Sequence, residues 1–339
     1  MDWPPFLIVA IILFMRIVVH RGRKWMKRTY ESGDKMIHTR LKAEGLRGKL
    51  ATILSQDYKE LAVQDLKVIG TGVQNIVFRG DSEKGALAFR VPWERAVENI
   101  NEDLFNSRIS LQKETELSKF CYSKGIPVPK IHGLHLSAEL DFLISDYVST
   151  DHMPISACKI GKLVSELHSI PIDGLQYEQN IREPISKYIA ERIVKRIEGF
   201  NTITNCGIKL PETKTIEHIL STADHVKSLL HMDIRPANLI GYNGEIKAIV
   251  DWDNALIGHP LLELMRIAET NEVNWEEFEE GYKNDSIFNA TPHIVSLFYR
   301  LDTAVMLANL FIAHLKIEDK GVFYKERVKA LYNEIYISL

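Results

Sequence analysis

The chain of 339 residues is 45% apolar and 26% charged, enough for one large or two modest globular units, which excludes a disordered tail, a collagen and a disulfide miniprotein. Its net charge of −3 conceals an asymmetry: residues 1–50 hold 11 Lys/Arg against 4 Asp/Glu, and the acidic excess lies in the remainder, which carries −10. An acidic body argues against nucleic acid as a partner, because following a phosphate backbone takes a basic surface.

The leader comes first. Phe6 to Met15 is an unbroken apolar run, resumed after Arg16 as Ile17-Val18-Val19 and followed by a basic stretch from Arg21 to Arg28 that includes Trp25. The run is shorter than the roughly 20 residues that span a bilayer. A snorkelling Arg16 and the aromatic, basic flank nonetheless suit a membrane interface. Residues 3–28 are therefore a candidate membrane-associating segment, with a short docked helix, or upstream sequence included by a wrong start site, as the alternatives. A cleavable signal peptide is not expected, because the positive charges follow the apolar run. Insertion with that flank inside would leave the body in the cytoplasm, on the membrane's cytoplasmic face. Cys121, Cys158 and Cys206, odd in number and without a Cys-x-x-Cys pair, agree with a reducing compartment and suggest neither a disulfide frame nor a thiolate zinc site.

Residues 41–58 have helical spacing, with Leu46, Leu50, Ile53 and Leu54 on one stripe, and complete a basic N-terminal segment over 1–60. The period then shifts. Residues 66–69 read as a strand, Gly70-Thr71-Gly72 as a tight turn, and 75–79 as a returning strand. A turn at Gly80-Asp81 and a loop ending at Gly85 lead to a third strand over 86–91, stopped by Pro92. Residues 103–123 predict a helix. Pro127-Val128-Pro129 opens an extended stretch, and 142–144 is another short strand before Asp146-Tyr147-Val148. The region 61–148 is thus an antiparallel sheet carrying one helix. The region 149–339 is mostly helical, with amphipathic patterns at 156–169, 184–199, 213–229, 260–270, 294–316 and 322–336.

One hairpin interrupts these helices. Asn243-Gly244 between apolar runs is a strong hairpin signal, since a type I′ turn needs positive φ at both central residues. If Tyr242 faces Glu245, Asn238 falls opposite Ile249, with Asp251 two residues beyond, so Asn238 and Asp251 come within reach of one divalent cation. Asp233 lies on the loop entering the hairpin. Two carboxylates and an amide oxygen are hard donors suited to Mg²⁺ and poor for zinc. Phosphoryl transfer needs such a set: a carboxylate for the incoming hydroxyl's proton, and metal for the β- and γ-phosphates.

His231-x-Asp233-x-x-x-x-Asn238, followed by an apolar strand ending in Asp251, resembles the catalytic and metal-binding loops of the protein-kinase-like fold. Residues 251–264, Asp251-Trp252-Asp253-Asn254-Ala255 continuing to Gly258-His259-Pro260 and Glu263-Leu264, resemble the aminoglycoside phosphotransferase and choline kinase branch. Its pattern there is Asp-Trp-Glu-x-Ala-x-x-Gly-Asp-Pro-x-x-Asp-Leu. His259 and Glu263 depart from the two later Asp positions and leave the metal set intact. A protein kinase would instead carry Asp-Phe-Gly and a long activation segment.

The resemblance implies an α+β, bilobal protein-kinase-like fold with a nucleotide-binding N-lobe. Gly70, Thr71, Gly72 and Asn75 would cover the phosphates, Arg90 on the third strand would clamp them, and Glu114 would hold Arg90. Asp146 and Val148 would offer backbone groups to the adenine edge. Asp233 would be the catalytic base, Arg235 either a cation steadying the transferring phosphoryl group or a salt bridge holding the loop, and Asn238 and Asp251 the Mg²⁺ ligands. His231 is expected to pack the loop, Asp253 to play a bland surface or outer role, and 276–282 to be a solvated amphipathic helix. The reading is a Mg²⁺-dependent kinase moving the γ-phosphate of ATP or GTP to a hydroxyl of a small molecule. A non-catalytic nucleotide-binding module is the main alternative, and a protein kinase the lesser one. The acidic body weakly favours a cationic substrate.

Overall fold

The computed structural model describes residues 25–72, 74–99, 102–175 and 184–339. Two units divide the chain, Met1–Asp57 and Tyr58–Leu339. In the first, α1 runs unbroken over Trp25–Asp57, so helix begins well before the expected residue 41. The candidate membrane segment lies outside the described residues, apart from 25–28, which open α1.

The second unit begins with a five-stranded antiparallel sheet. Strands β1 (Gln64–Thr71), β2 (Asn75–Ser82) and β3 (Gly85–Pro92) are joined by a short hairpin β4–β5 (Ala96–Asn99, Glu102–Asn106) and by α2 (Ser107–Ser123) to β6 (Ile131–Leu136) and β7 (Asp141–Asp146). The spatial order is β1-β2-β3-β7-β6. Alternation along the strands buries Ile76, Phe78, Phe89, Val91 and Phe142. It also sends Arg90 to the face opposite Phe89 and Val91.

Two local expectations are corrected. β2 continues through Gly80 and Asp81 to Ser82, which pairs with Gly85. Gly80 serves packing, because a Cβ there would run into Val63, Leu66 and Phe89. The helix expected from 103 starts at Ser107, where Asn106 Oδ1 caps it by accepting from the N–H groups of Arg108 (3.0 Å) and Ile109 (3.3 Å).

The helical lobe comprises α3 (Ala157–Ser169), α4 (Ile185–Thr204), α5 (Thr213–Ser221), α6 (Pro260–Thr270), α7 (Trp275–Tyr282), α8 (Asp285–Ala290), α9 (His293–Asn309) and α10 (Glu318–Ser338). α9 is buried along most of its length and packs against α4, α6 and α10. Together with its π-helical extension, His293–His314 is the one helix among the described residues long and apolar enough to cross a membrane, yet 67% of its most apolar stretch is buried inside the protein.

The helix expected over 213–229 stops at Ser221. Ser228–Leu230 is instead a strand, β8, pairing with β11 (Leu256–Gly258), and Leu229 and Leu230 are wholly buried. A short buried apolar run does not reveal its period, which is why helix and strand were indistinguishable there. The sheet-rich and helix-rich halves form the bilobal α+β architecture expected from the sequence.

Candidate active site

The site grows from the hairpin β9–β10 (Leu239–Tyr242, Glu245–Ile249). Asn243 and Gly244 have φ of +53° and +69°, as a type I′ turn demands, and Tyr242 faces Glu245. The expected register fails further on. A bulge between Ile246 and Ala248 inserts Lys247, so Ile249 pairs with Leu239, and the Val250 N–H donates to the Asn238 carbonyl at 3.0 Å. Asn238 is thereby one position nearer to Asp251 than an unbulged ladder would set it.

The loop ahead of the hairpin is clamped from α6. Glu263, with no solvent exposure, accepts from the backbone N–H groups of His231 (3.2 Å) and Met232 and from His168 Nε2 (2.8 Å). Burial opposes its charge, but the hydrogen bond and charge of His168, with His231 and the Met232 N–H, together outweigh that and hold its pKa below the usual carboxylate value. His231 is also wholly buried. Its Nδ1 accepts from the Asp233 N–H (3.2 Å), which assigns the proton to Nε2, and Nε2 donates to the Val250 carbonyl (3.1 Å). Burial lowers the pKa of this ring, and its edge-on contact with Trp252 fits the packing role expected of it.

The loop presents Asp233. The Asn238 side-chain amide donates to the Asp233 carboxylate at 2.7 Å and to its carbonyl at 2.9 Å. Arg235 Nε lies 3.3 Å from Oδ2, and Arg266 Nη2 lies 3.7 Å from Oδ1. With its nitrogen turned to Asp233, Asn238 keeps its amide oxygen for another partner.

Across the cleft, Arg90 stands at the centre of an acidic cluster. Its guanidinium reaches Glu114 (2.5 Å), Asp251 (2.8 Å) and Asp253 (2.9 Å). With the Asn75 amide oxygen oriented toward it, Asn75 accepts from Nη2 (2.8 Å) and Nε (3.2 Å). Burial alone would discourage the Arg90 charge, but the three carboxylates raise its pKa above the ordinary value. Burial pushes Glu114 up to about 7, since Arg90 is shared three ways and offsets only part of the cost. Asp253 is raised for the same reason, whereas Asp251, also opposed by burial, is held low by Arg90.

Of the two roles expected of Asp253, surface or outer, burial excludes the surface one. Its side chain is 11% exposed, accepts from the Ser110 hydroxyl as well as Arg90, and its carbonyl takes Lys113 Nζ (2.6 Å). Ligand oxygens of Glu114, Asp251 and Asp253 lie within 4.8 Å of one another. One guanidinium facing three carboxylates leaves negative charge in excess when they ionise, which is why Glu114 and Asp253 are pushed toward their neutral forms, and the donors are all hard oxygens, a set that fits Mg²⁺.

The segment expected to form a phosphate-covering turn is largely strand. Gly70 and Thr71 belong to the β1–β2 ladder, opposite Val77 and Ile76, and the Gly72 N–H donates to the Asn75 carbonyl at 2.8 Å. Asn75 turns inward to brace Arg90. At the end of β7 the Asp146 N–H is bonded to the Lys130 carbonyl (2.9 Å) and the Tyr147 N–H to that of Ala86 (3.0 Å), so neither is left for an adenine edge. The Asp146 carboxylate pairs with His132 (2.6 Å), and Val148 follows just beyond the strand.

The two departures at 259 and 263 are accommodated. His259 caps α6, its Nδ1 accepting from the Leu261 N–H at 3.2 Å, while burial, with His225 and His168 adding repulsion, pushes its pKa down to about 4. A neutral imidazole thus does what a capping carboxylate would. Glu263, Arg266 and Glu269 are buried ionisable groups at three-residue intervals on an otherwise apolar helix. Sequence reasoning passed over Arg266, although that periodic charge was its visible signal.

The sequence model of the phosphotransferase enzyme family matches residues 65–294. A protein LicA homolog of Mycoplasma capricolum subsp. capricolum is 24% identical over 149 residues, 44% of this chain, and the chain spans 58% of that relative's length. A thermostable mutant of the aminoglycoside phosphotransferase APH(4)-Ia, solved in a ternary complex with ADP and hygromycin B, superposes with a TM-score of 0.59 at 15% identity, over 81% of this chain and 96% of that one. A choline/ethanolamine kinase family protein from Mesorhizobium loti gives 0.55 at 16% identity, over 86% and 94%. At such identities the two structures speak for the fold, and the family match, which spans both lobes and contains Arg90, Glu114, Asp233, Asn238 and Asp251, speaks for descent: the chain belongs to the phosphotransferase enzyme family.

Proposed function

We propose that the protein is a Mg²⁺-dependent small-molecule kinase that transfers the γ-phosphate of ATP or GTP to an acceptor hydroxyl. The observation that carries this reading is the Asp233 carboxylate held by Asn238 at 2.7 Å, on the loop that leads through the hairpin to the Arg90-centred cluster.

In the proposed reaction the acceptor oxygen bonds to the γ-phosphorus while the bond to the β–γ bridging oxygen breaks, the hydroxyl proton passes to Asp233, and the nucleoside diphosphate leaves. Asn238 and Asp251 would hold Mg²⁺, with Asp253 and Glu114 adding to the local negative charge. The ion, when bound, supplies charge neutralisation at the β- and γ-phosphates. Arg90 binds phosphate oxygens and keeps Asp251 ionised. Arg235, beside Asp233, steadies the charge on the transferring group. The nucleotide would lie under the end of the β1–β2 hairpin, at Gly70, Thr71, Gly72 and Asn75, with its base against Val148 and the carbonyl of Asp146.

The test is ADP or GDP release with each nucleotide over aminoglycosides, macrolides, amino alcohols, sugars and hydroxy acids, with and without a chelator. The reading expects acceptor-dependent release that disappears on chelation. A protein that neither binds nor turns over nucleotide in Mg²⁺ contradicts it.

A further inference from the structure

Arg266 lies beside Asp233 with its bonding incomplete. Its side chain is 8% exposed, its nearest carboxylate oxygen is Asp233 Oδ1 at 3.7 Å, beyond hydrogen-bond reach, and its Nε is buried with no partner. A guanidinium carries five donors in a rigid fork, and burying them without an acceptor is costly, so such a group is ordinarily matched to a carboxylate or phosphate.

The buried carboxylates of this lobe, Asp302, Glu269 and Glu263, have other partners. Asp302 holds Arg192 (2.5 Å) and Arg196 (2.8 Å), Glu269 holds Arg300 (2.9 Å) and Arg327 (2.6 Å), and Glu263 holds His168 and the loop. Arg266 therefore hydrogen-bonds no carboxylate among the described residues: its charge is felt by Asp302, whose oxygens are taken by Arg192 and Arg196, and by Asp233 at 3.7 Å.

Its position relative to the two oxygens of Asp233 is informative. Oδ2 takes the Asn238 amide and faces Arg235, which is the side leading to the hairpin and the acidic cluster. Oδ1 accepts no hydrogen bond among the described residues and is flanked by Arg266. The free oxygen is the one able to receive a hydroxyl proton, so the acceptor's reactive hydroxyl and the Arg266 fork are neighbours.

We propose that the acceptor carries an oxyanion, a carboxylate or a phosphate, close to its reactive hydroxyl, and that Arg266 binds this group and so selects anionic acceptors. The proposal rests on the kinase reading above. It runs against the cationic substrate that the acidic body suggests, because net charge does not describe a pocket: around Arg90 negative charge is in excess, and around Asp233 the arginines are.

The experiment is calorimetry on the full chain with Mg²⁺ and the ATP analogue AMP-PNP, using glycerate, glycerol 3-phosphate, glycerol and choline as probes, with wild type, Arg266→Met and Arg266→Lys. Saturable binding of glycerate or glycerol 3-phosphate is expected, at least about tenfold tighter than glycerol or choline, and weakened about tenfold or more in Arg266→Met. The stronger of the two anions identifies carboxylate or phosphate as the favoured group. Should Arg266→Met fail to fold, Arg266→Lys, which keeps the charge and loses the fork, is expected to bind the anion at least about threefold more weakly.

Absent anion binding, anion binding unchanged in the variants, or choline and glycerol binding as tightly as the anions each overturn the proposal. So does a variant that weakens AMP-PNP and spares the anions, since Arg266 would then serve the donor. The kinase reading fails separately, if wild type does not bind AMP-PNP.

Discussion

Asn238 Nδ2 donates to the Asp233 carboxylate at 2.7 Å, tying the residue assigned as proton acceptor to one assigned to the metal. Replacing Asn238 with Asp sets a second carboxylate against the first. Acceptor-dependent turnover is expected to fall about 10- to 100-fold, with more Mg²⁺ needed for half-maximal rate, as measured by kcat over a Mg²⁺ titration. A variant with wild-type Mg²⁺ dependence would separate Asn238 from the metal.

Arg90 is the counter-charge of three carboxylates. Arg90→Met leaves them facing one another in a largely buried site, and thermal or urea unfolding is expected to show a loss of about 3–5 kcal/mol. Millimolar Mg²⁺ should stabilise both proteins and, because the variant's cluster has lost its cation, should stabilise Arg90→Met the more, restoring part of that loss. No effect of Mg²⁺ on either protein would argue that the cluster takes no cation.

Helices α3 and α7 meet through two glycines. A Cβ on Gly161 would run into the Phe278 carbonyl, and one on Gly281 into that of Cys158. Gly281→Ala is expected to destabilise by about 1–3 kcal/mol or more, because backbone cannot move aside as a side-chain tip can. An unfolding midpoint equal to wild type would contradict this packing.

His259 offers a pH test. Its folded pKa of about 4 lies below the ordinary 6.5, so the unfolded chain binds the proton more readily. The stabilisation is complete above pH 6.5 and is lost as pH falls toward 4. Between pH 7.5 and pH 5 wild type is expected to lose about 1–2 kcal/mol more than His259→Asn, which keeps a capping oxygen without titrating. Parallel losses in denaturant titrations would show that His259 is not the group responsible.

Particular residues show how much of this was legible. Asn243-Gly244 announced its hairpin because few residues tolerate two consecutive positive φ angles, and the two-lobed order of elements followed from the change of period along the chain. The bulge at Lys247 left no trace, since one extra residue in a five-residue strand does not disturb its apolar pattern. The choice between a surface and an outer role for Asp253 stayed open because a carboxylate next to a turn is usually solvated, and only the tertiary approach of β3 and α2 buries it. Asp146 stands where a hinge was expected, but backbone hydrogen bonds decide which of its groups are free, and those depend on partners at Lys130 and Ala86 that are distant in sequence. Arg266 was missed because an amphipathic helix pattern records which positions are apolar and says little about a charge turned inward.

The most direct test of the account is Asp233→Asn, assayed for acceptor-dependent nucleoside diphosphate release alongside AMP-PNP affinity. The account predicts a fall in kcat of about 10² to 10⁴ with nucleotide affinity within about threefold of wild type, because the proton acceptor is lost and the nucleotide site is not. Undiminished turnover by Asp233→Asn would contradict it.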